Sequence, residues 1–249
     1  MKKISMFIPC LVDLVLPHIG ENSVTILRHL DCEPIYHPEQ TCCGLMSFNS
    51  GFRDEARRLA RHFIRVFEND ELIVSPSGSC VNMVKNRYSD LFEDDPAWRR
   101  RAADLAPRVY ELSQFIVDHL GVAQLGGSYP ARVAYHESCS TLNALGVSAQ
   151  PKTLIRSVEG AELVELTGAD ICCGFGGTFA NSFPEISTAL VRQKTAYFLE
   201  SGADVLVMCD PGCLLNIRGY LDRYHPDRKA VHIADFLADS LRGKAREAS

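Results

Sequence analysis

The chain has 249 residues, 46% of them apolar and 23% charged, with a formal net charge of −5 and an isoelectric point near 5.9. That balance describes a globular protein with a substantial core, and an acidic chain offers no basic face for nucleic acid. No apolar stretch reaches the ~18–20 residues of a membrane span, so no transmembrane segment is expected.

In chain order, Ile4–Ile8 is the first continuous apolar run. The residues through Pro9 resemble the start of a signal peptide, but the run is too short, is broken by Pro9 and is followed by Asp13. It predicts a strand buried on both faces, as in a parallel sheet. Phe52–Phe67 carries Phe52, Ala56, Leu59, Ala60, Phe63, Val66 and Phe67 at helical spacing. Leu72–Val74 predicts a second strand. An insertion follows at about 86–108, with Asp94-Asp95-Pro96 as a helix start. Its run Arg99-Arg100-Arg101 reads as a solvated helix face rather than a docking patch for an acidic partner. Leu112–Leu120 predicts a closing helix, and the glycines and proline of Gly121–Pro130 mark an internal boundary.

Beyond it, Arg132–Tyr135 and Val205–Met208 predict strands and Ile186–Leu199 a helix entered through Pro184 and Glu185. Ile233–Leu241 aligns with Leu112–Leu120 as a second closing helix, and 242–249 reads as a polar tail. The expected fold class is α/β, with two pseudo-repeated parallel-sheet βαβ domains over 1–125 and 130–249.

The ten cysteines are the anomaly. A chain of this size needs no disulfide staples, so a reducing cytoplasm with metal-binding or redox cysteines is expected. Thr41-Cys42-Cys43-Gly44 and Ile171-Cys172-Cys173-Gly174 stand in one repeated frame. Cys10 precedes Cys42 by 32 positions and Cys139 precedes Cys172 by 33; Cys80 follows Cys43 by 37 and Cys213 follows Cys173 by 40. Cys10, Cys80, Cys139, Cys209 and Cys213 fall at or just past predicted strand ends, where open parallel sheets bind ligands. Gly44 and Gly174 suit a sharp turn, and the helix after each would aim its amino end at the sulfurs.

Adjacent cysteines chelate a single tetrahedral ion poorly, because the joining peptide is short and planar. They suit two neighbouring irons better, whereas zinc favours separated pairs. The second half offers five thiols: Cys139, Cys172, Cys173, Cys209 and Cys213. The first offers four, Cys10, Cys42, Cys43 and Cys80, with Ser77 near the missing position; four suit a cubane cluster, a zinc ion or a vestigial site. Cys32 has no counterpart and reads as a small buried hydrophobe. His136, opposite Phe7 in the repeat, reads as a satisfied structural histidine. Gly174-Phe175-Gly176-Gly177 does not match a dinucleotide loop, and no hydrolase, metalloprotease or P-loop motif is present. A vicinal pair also allows a thiol–disulfide switch, and separate four-thiolate zinc sites would make the chain a scaffold.

The duplicated frame, with Pro76-Ser77-Gly78-Ser79-Cys80 and Pro211-Gly212-Cys213-Leu214-Leu215-Asn216-Ile217, resembles the cysteine-rich (CCG) domain of the heterodisulfide reductases. It also resembles the iron–sulfur subunits of glycolate oxidase and anaerobic glycerol-3-phosphate dehydrogenase, but lacks their ferredoxin-like Cys-x-x-Cys-x-x-Cys region. Over essentially its whole length the chain is most similar to the lactate-utilisation protein A family. The resemblance implies an iron–sulfur electron carrier in L-lactate oxidation to pyruvate, working with a ferredoxin-like iron–sulfur protein and a third small protein. It implies a [4Fe–4S] cluster, noncubane in the heterodisulfide reductase relatives, on Cys139, Cys172, Cys173, Cys209 and Cys213. Two departures stand out: the first repeat lacks a fifth cysteine, and the second ends in Cys-x-x-x-Cys rather than Cys-x-x-Cys. A thiol–disulfide enzyme of the heterodisulfide reductase type, or a subunit of a glycolate or glycerol-3-phosphate oxidising complex, is the alternative.

Overall fold

Eight strands form two four-stranded sheets in the computed structural model, which describes residues 2–243. The polar tail expected at 242–249 lies, from 244 onward, outside the described residues. By its contacts the chain divides into two units, Met1–Leu112 and Ser113–Ser249.

The first unit runs β1 (Lys2–Met6), α1 (Cys10–Val15), α2 (Pro17–His29), β2 (Cys32–Tyr36), α3 (Leu45–Asn49), α4 (Arg53–Phe67), β3 (Ile73–Ser75), α5 (Gly78–Asn82), α6 (Tyr88–Leu91), α7 (Pro96–Leu105) and β4 (Val109–Glu111). All its strand pairs are parallel, in the order β2-β1-β3-β4. Pro34 has no N–H to give a ladder, and it lies on the edge strand β2. The helical spacing of α4 buries Ala56, Ala60, Phe63, Ile64 and Phe67. Phe52, expected on that face, instead precedes the helix and is 61% exposed.

Within 86–108, Asp95 caps α7 by accepting from Trp98 N, with Pro96 in its first turn. Arg101 pairs with Glu68 and lies over the Trp98 ring, while Arg61 pairs with Asp95 and Arg57 with Asp54. Within the run 99–101, Arg100 pairs with Asp104 and Arg101 with Glu68, and Arg99 is exposed.

At the boundary of the two units lies a helical segment, α8 (Leu112–Gln114), that widens into a π-helical turn over Phe115–His119 in the second. Gln150 Nε2 donates to Asp118 Oδ2 across 2.7 Å, so this segment, read as the close of the first repeat, packs with the elements that follow it. Then come β5 (Ser128–Tyr135), α9 (Ala149–Arg156), β6 (Glu159–Leu163), α10 (Phe179–Ser182), α11 (Pro184–Glu200), β7 (Val205–Met208), α12 (Pro211–Tyr224), β8 (Lys229–His232) and α13 (Ile233–Leu241). The sheet is again fully parallel, in the order β6-β5-β7-β8. The fold is therefore α/β, with one four-stranded topology used twice.

Both sheets change winding direction between their two central strands, β1 and β3 in one unit and β5 and β7 in the other. Crevices form beyond the carboxyl ends at such points. Among the described residues, no helix is long and apolar enough to cross a membrane.

Candidate metal–sulfur centres

Three loops deliver thiols to each crevice. Cys10 opens α1 after β1, Cys80 lies in the first turn of α5 after β3, and Cys42-Cys43 lie in the loop after β2. In the second unit Cys139 follows β5, Cys213 lies in the first turn of α12 after β7, and Cys172-Cys173 lie in the loop after β6. The long helices α4 and α11 do not follow the vicinal pairs directly; short α3 and α10 intervene. Helix amino ends at the sites belong to α5 and α12, whose first turns hold Cys80 and Cys213, and in the first unit also to α1, which opens at Cys10, and α3, capped by Gly44.

The four sulfurs of each unit form a chain of contacts. Cys10 Sγ lies 3.7 Å from Cys42 Sγ, Cys42 contacts Cys43, and Cys43 contacts Cys80. In the second unit Cys139 contacts Cys172, Cys172 contacts Cys173, and Cys173 Sγ lies 3.0 Å from Cys213 Sγ. All ten cysteines are free thiols. Hydrogen bonds from Cys10, Cys43 and the Gly44 N–H hold Cys42 as a thiolate, down to about 3. The same bonds, from Cys139, Cys173 and Gly174, bring Cys172 down to about 2. Their donors move the other way: Cys10, Cys43, Cys139 and Cys173 are pushed up by giving protons to a neighbouring sulfur and by burial.

The backbone device at each vicinal pair is the same. Gly44 N and Gly174 N each donate to the first sulfur of their pair at 3.3 Å. Both glycines are left-handed, with φ of 86° and 84°. A side chain also holds the carbonyl of the second cysteine in each case. Tyr88 Oη donates to Cys43 O at 2.9 Å, and Asn216 Nδ2 donates to Cys173 O at 2.7 Å.

Sheet register fixes which residues correspond. Phe7 N donates to Val74 O and His136 N to Val207 O, each at 2.9 Å, so Phe7 answers to His136 and Val74 to Val207. Counting on from there, Cys80 answers to Cys213, Ser77 to Asp210, and Pro76 to Cys209. Ser77 is therefore the equivalent of Asp210, not of Cys209: both cap the helix carrying the site cysteine, Ser77 accepting from Cys80 N and Asp210 from Gly212 N. The first unit lacks a fifth thiol because a proline stands there.

The structure does not bring Cys209 to the other four sulfurs. Consecutive residues of an extended strand face opposite sides of the sheet. Tyr135 takes one side and His136 the other, and Cys209 lies with Tyr135. Its fully buried Sγ accepts from Tyr135 Oη at 3.2 Å and lies 3.9 Å from Ser113 Oγ. Cys32, likewise, is buried in β2 with its Sγ 3.5 Å from Leu30 O, as expected of a core residue.

His136 departs from its expected role. It is fully buried, and although the Ala169 backbone acts on it as a weak acceptor, no contact at either ring nitrogen has hydrogen-bond geometry among the described residues. An unmade buried hydrogen bond costs about 1–3 kcal/mol, so a satisfied structural histidine does not describe it. A ring nitrogen and the sulfurs of Cys173 and Cys213 all lie within 4.8 Å of one another, a group able to hold a metal ion. Burial and the nearby Lys194 bring His136 down to about 3, which keeps the ring neutral.

Lys194 itself lies on the buried stripe of α11. Its Nζ donates to Gly168 O and Ala169 O at 2.5 and 2.9 Å, pinning the turn before the cysteine pair, and burial lowers it to about 8. Ala56 and Leu59 meet Gly44 as Ser187 and Leu190 meet Gly174, which makes Phe63 the counterpart of Lys194. The hydropathy of α11 conceals this lysine, and only the helical position shared with Phe63 signals it.

Four convergent thiols fit a metal–sulfur group. Sulfur–sulfur hydrogen bonds hold one thiolate per set; ionising all four needs a cation to replace the protons, which is how thiolate sites load. A second unit of four sulfurs and an uncommitted imidazole suits a multi-metal cluster better than a closed zinc site.

A family model described as a cysteine-rich domain (CCG) matches residues 4–85 and again 133–218. The chain is 43% identical to lactate utilization protein A of Exiguobacterium sp. (strain ATCC BAA-1283 / AT1b), over 97% of this chain and 99% of that protein. It is 45% identical to lactate utilization protein A of Oceanobacillus iheyensis, over 94% and 96% of the two chains. The chain belongs to the lactate utilization protein A family. The namesake from Bacillus subtilis is 41% identical over 94% of this chain and 98% of its own length. Each of the two family-model matches contains one complete four-thiol set, so the family's paired domains and the two crevices coincide.

Proposed function

We propose that the chain is the iron–sulfur electron-transfer component of a multi-protein system that oxidises L-lactate to pyruvate. What carries the reading is the duplicated convergence of four thiols at the switch point of a parallel sheet. Membership of a family named for lactate utilization supports lactate as the substrate. Cys139, Cys172, Cys173 and Cys213 would hold a [4Fe–4S]-type cluster, and Cys10, Cys42, Cys43 and Cys80 the first unit's metal. When bound, such a cluster supplies reversible one-electron transfer.

The chain's own residues supply the rest. Gly44 and Gly174 aim a backbone N–H at one sulfur of each pair, which favours its charged form. Tyr88 and Asn216 fix the peptides that carry the pairs. Lactate gives up two electrons and two protons on becoming pyruvate. The partners in this reading are a ferredoxin-like iron–sulfur protein and a third small protein, in the cytoplasm. The first set supports a second reading for its own occupant. Four thiolates where the position of His136 is taken by Phe7, packed on Phe63, also suit a closed structural zinc site.

Anaerobically purified protein is expected to hold iron and acid-labile sulfide in roughly equal amounts, with broad visible absorption. A strain lacking it is expected to grow on pyruvate but not on L-lactate. A colourless, zinc-only protein after anaerobic reconstitution overturns the cluster, and normal growth on L-lactate overturns the substrate.

A further inference from the structure

We propose that His136 is a nitrogen ligand of the second centre and that Cys209 is not a ligand, so that four thiolates and one imidazole hold the metal there. This rests on the iron–sulfur reading above. Three observations converge on it. A ring nitrogen of His136 groups with the sulfurs of Cys173 and Cys213 within 4.8 Å. The ring is fully buried with no hydrogen bond of good geometry at either nitrogen, and the Ala169 carbonyl, a weak partner, can take only an N–H, so the lone pair of the other nitrogen stays uncommitted. The thiol that would otherwise complete a set of five, Cys209, is on the opposite face and takes the Tyr135 hydroxyl at 3.2 Å.

The first unit supplies the contrast. There the position of His136 is Phe7, whose ring meets Phe63 edge-on at 4.7 Å. An aromatic ring suffices to fill that place, so packing alone does not call for imidazole in the second unit. The chemistry suits iron: a neutral imidazole binds through its lone pair and releases no proton. Compared with a set of five thiolates that included Cys209, imidazole in the fifth place removes one negative charge from the first shell, a change that raises the reduction potential in other iron–sulfur proteins.

The test uses the full-length protein, anaerobically reconstituted with iron and sulfide, with and without ¹⁵N-histidine. Iron and sulfide are measured first on the same samples. Pulsed electron paramagnetic resonance of the reduced protein is expected to show a nitrogen coupling that changes with the isotope and vanishes in His136→Gln. Cys209→Ser is expected to retain the iron content and the spectrum. A sample loaded with iron and sulfide but lacking an isotope-sensitive coupling overturns the proposal alone. So does a coupling that survives in His136→Gln, or a Cys209→Ser protein that loses the second unit's iron. Failure to bind iron and sulfide overturns the iron–sulfur reading and this proposal with it. The isotope comparison needs no substitution, so it stands even where His136→Gln does not fold.

Discussion

Phe7 and Phe63 pack edge-on in the first unit, while the same two positions of the second hold His136 and Lys194. The surroundings follow suit. Cys10 and Cys42 are half-buried, whereas Cys139 and Cys172 are exposed. What the two units share is backbone: the strand order, the left-handed glycine, and the N–H aimed at the first sulfur of each pair. A duplicated fold thus keeps the device that gathers thiols and changes the side chains behind them. Gathering depends on main-chain geometry, which sequence drift hardly touches. The charge around the sulfurs depends on two side chains, and each can change alone.

The comparison breaks most sharply at the vicinal pairs. Cys173→Ser is expected to remove essentially all the metal of the second unit while leaving the first intact, and Cys43→Ser the reverse. Each is read by metal analysis and by the spectrum of the surviving centre. A loss of both signals from one substitution would mean that the two sites do not load independently. Next in size is the pair of glycines. Alanine at either position carries the left-handed cost of about 1–2 kcal/mol. At Gly44 the new Cβ would meet Leu59 Cβ at 3.3 Å, but at Gly174 it would meet Ser187 O at 2.6 Å. Overpacking of that kind costs a further ~1–3 kcal/mol, so Gly174→Ala should destabilise more than Gly44→Ala in urea unfolding. Equal costs would show that α11 yields to the added methyl.

Much of this is legible in the sequence. The strands Val205–Met208 and Arg132–Tyr135, the helices ending at Phe67 and Leu241, and the Asp95 cap are written in periodicity and cap chemistry. The edge strands β2 and β6 are not, because Cys32–Tyr36 and Glu159–Leu163 are too polar or too interrupted to read as buried runs. The thiol frame announces the site, but linear spacing carries no information about which side of a sheet a residue faces. Cys209 and Cys213 look equivalent in a row of letters and lie on opposite faces. Ser77 stands close to the missing cysteine in linear order, yet strand register aligns it with Asp210. His136 reads as satisfied because a missing hydrogen bond has no sequence signature.

A pH experiment on metal-free protein sharpens the His136–Phe7 contrast. Burial and Lys194 lower His136 to about 3, below its unfolded value near 6.5. Between those values the unfolded chain binds the extra proton, so stability rises with pH, is complete above about 6.5, and is lost as pH falls toward 3. From pH 7 to pH 5 this one group is expected to withdraw about 2 kcal/mol. His136→Phe, which copies Phe7, should flatten that part of the acid dependence in urea midpoints. An unchanged slope would place the acid sensitivity elsewhere.

The smallest effect expected is a difference in reactivity between the two lowered thiols. Cys42 and Cys172 sit at about 3 and about 2, so both are thiolates at pH 6. An ordinary thiol near 8.5 gains thiolate about a hundredfold between pH 6 and pH 8, whereas these two should gain almost none. With charge equalised, access decides. Iodoacetamide should label exposed Cys172 a few times faster than half-buried Cys42 in the metal-free chain, at a rate nearly independent of pH, as read by peptide mass spectrometry. A rate at Cys172 that climbs with pH like that of a free thiol would show that the hydrogen bonds from Cys139, Cys173 and Gly174 do not hold the thiolate. Faster labelling at Cys42 would reverse the order of openness between the two units.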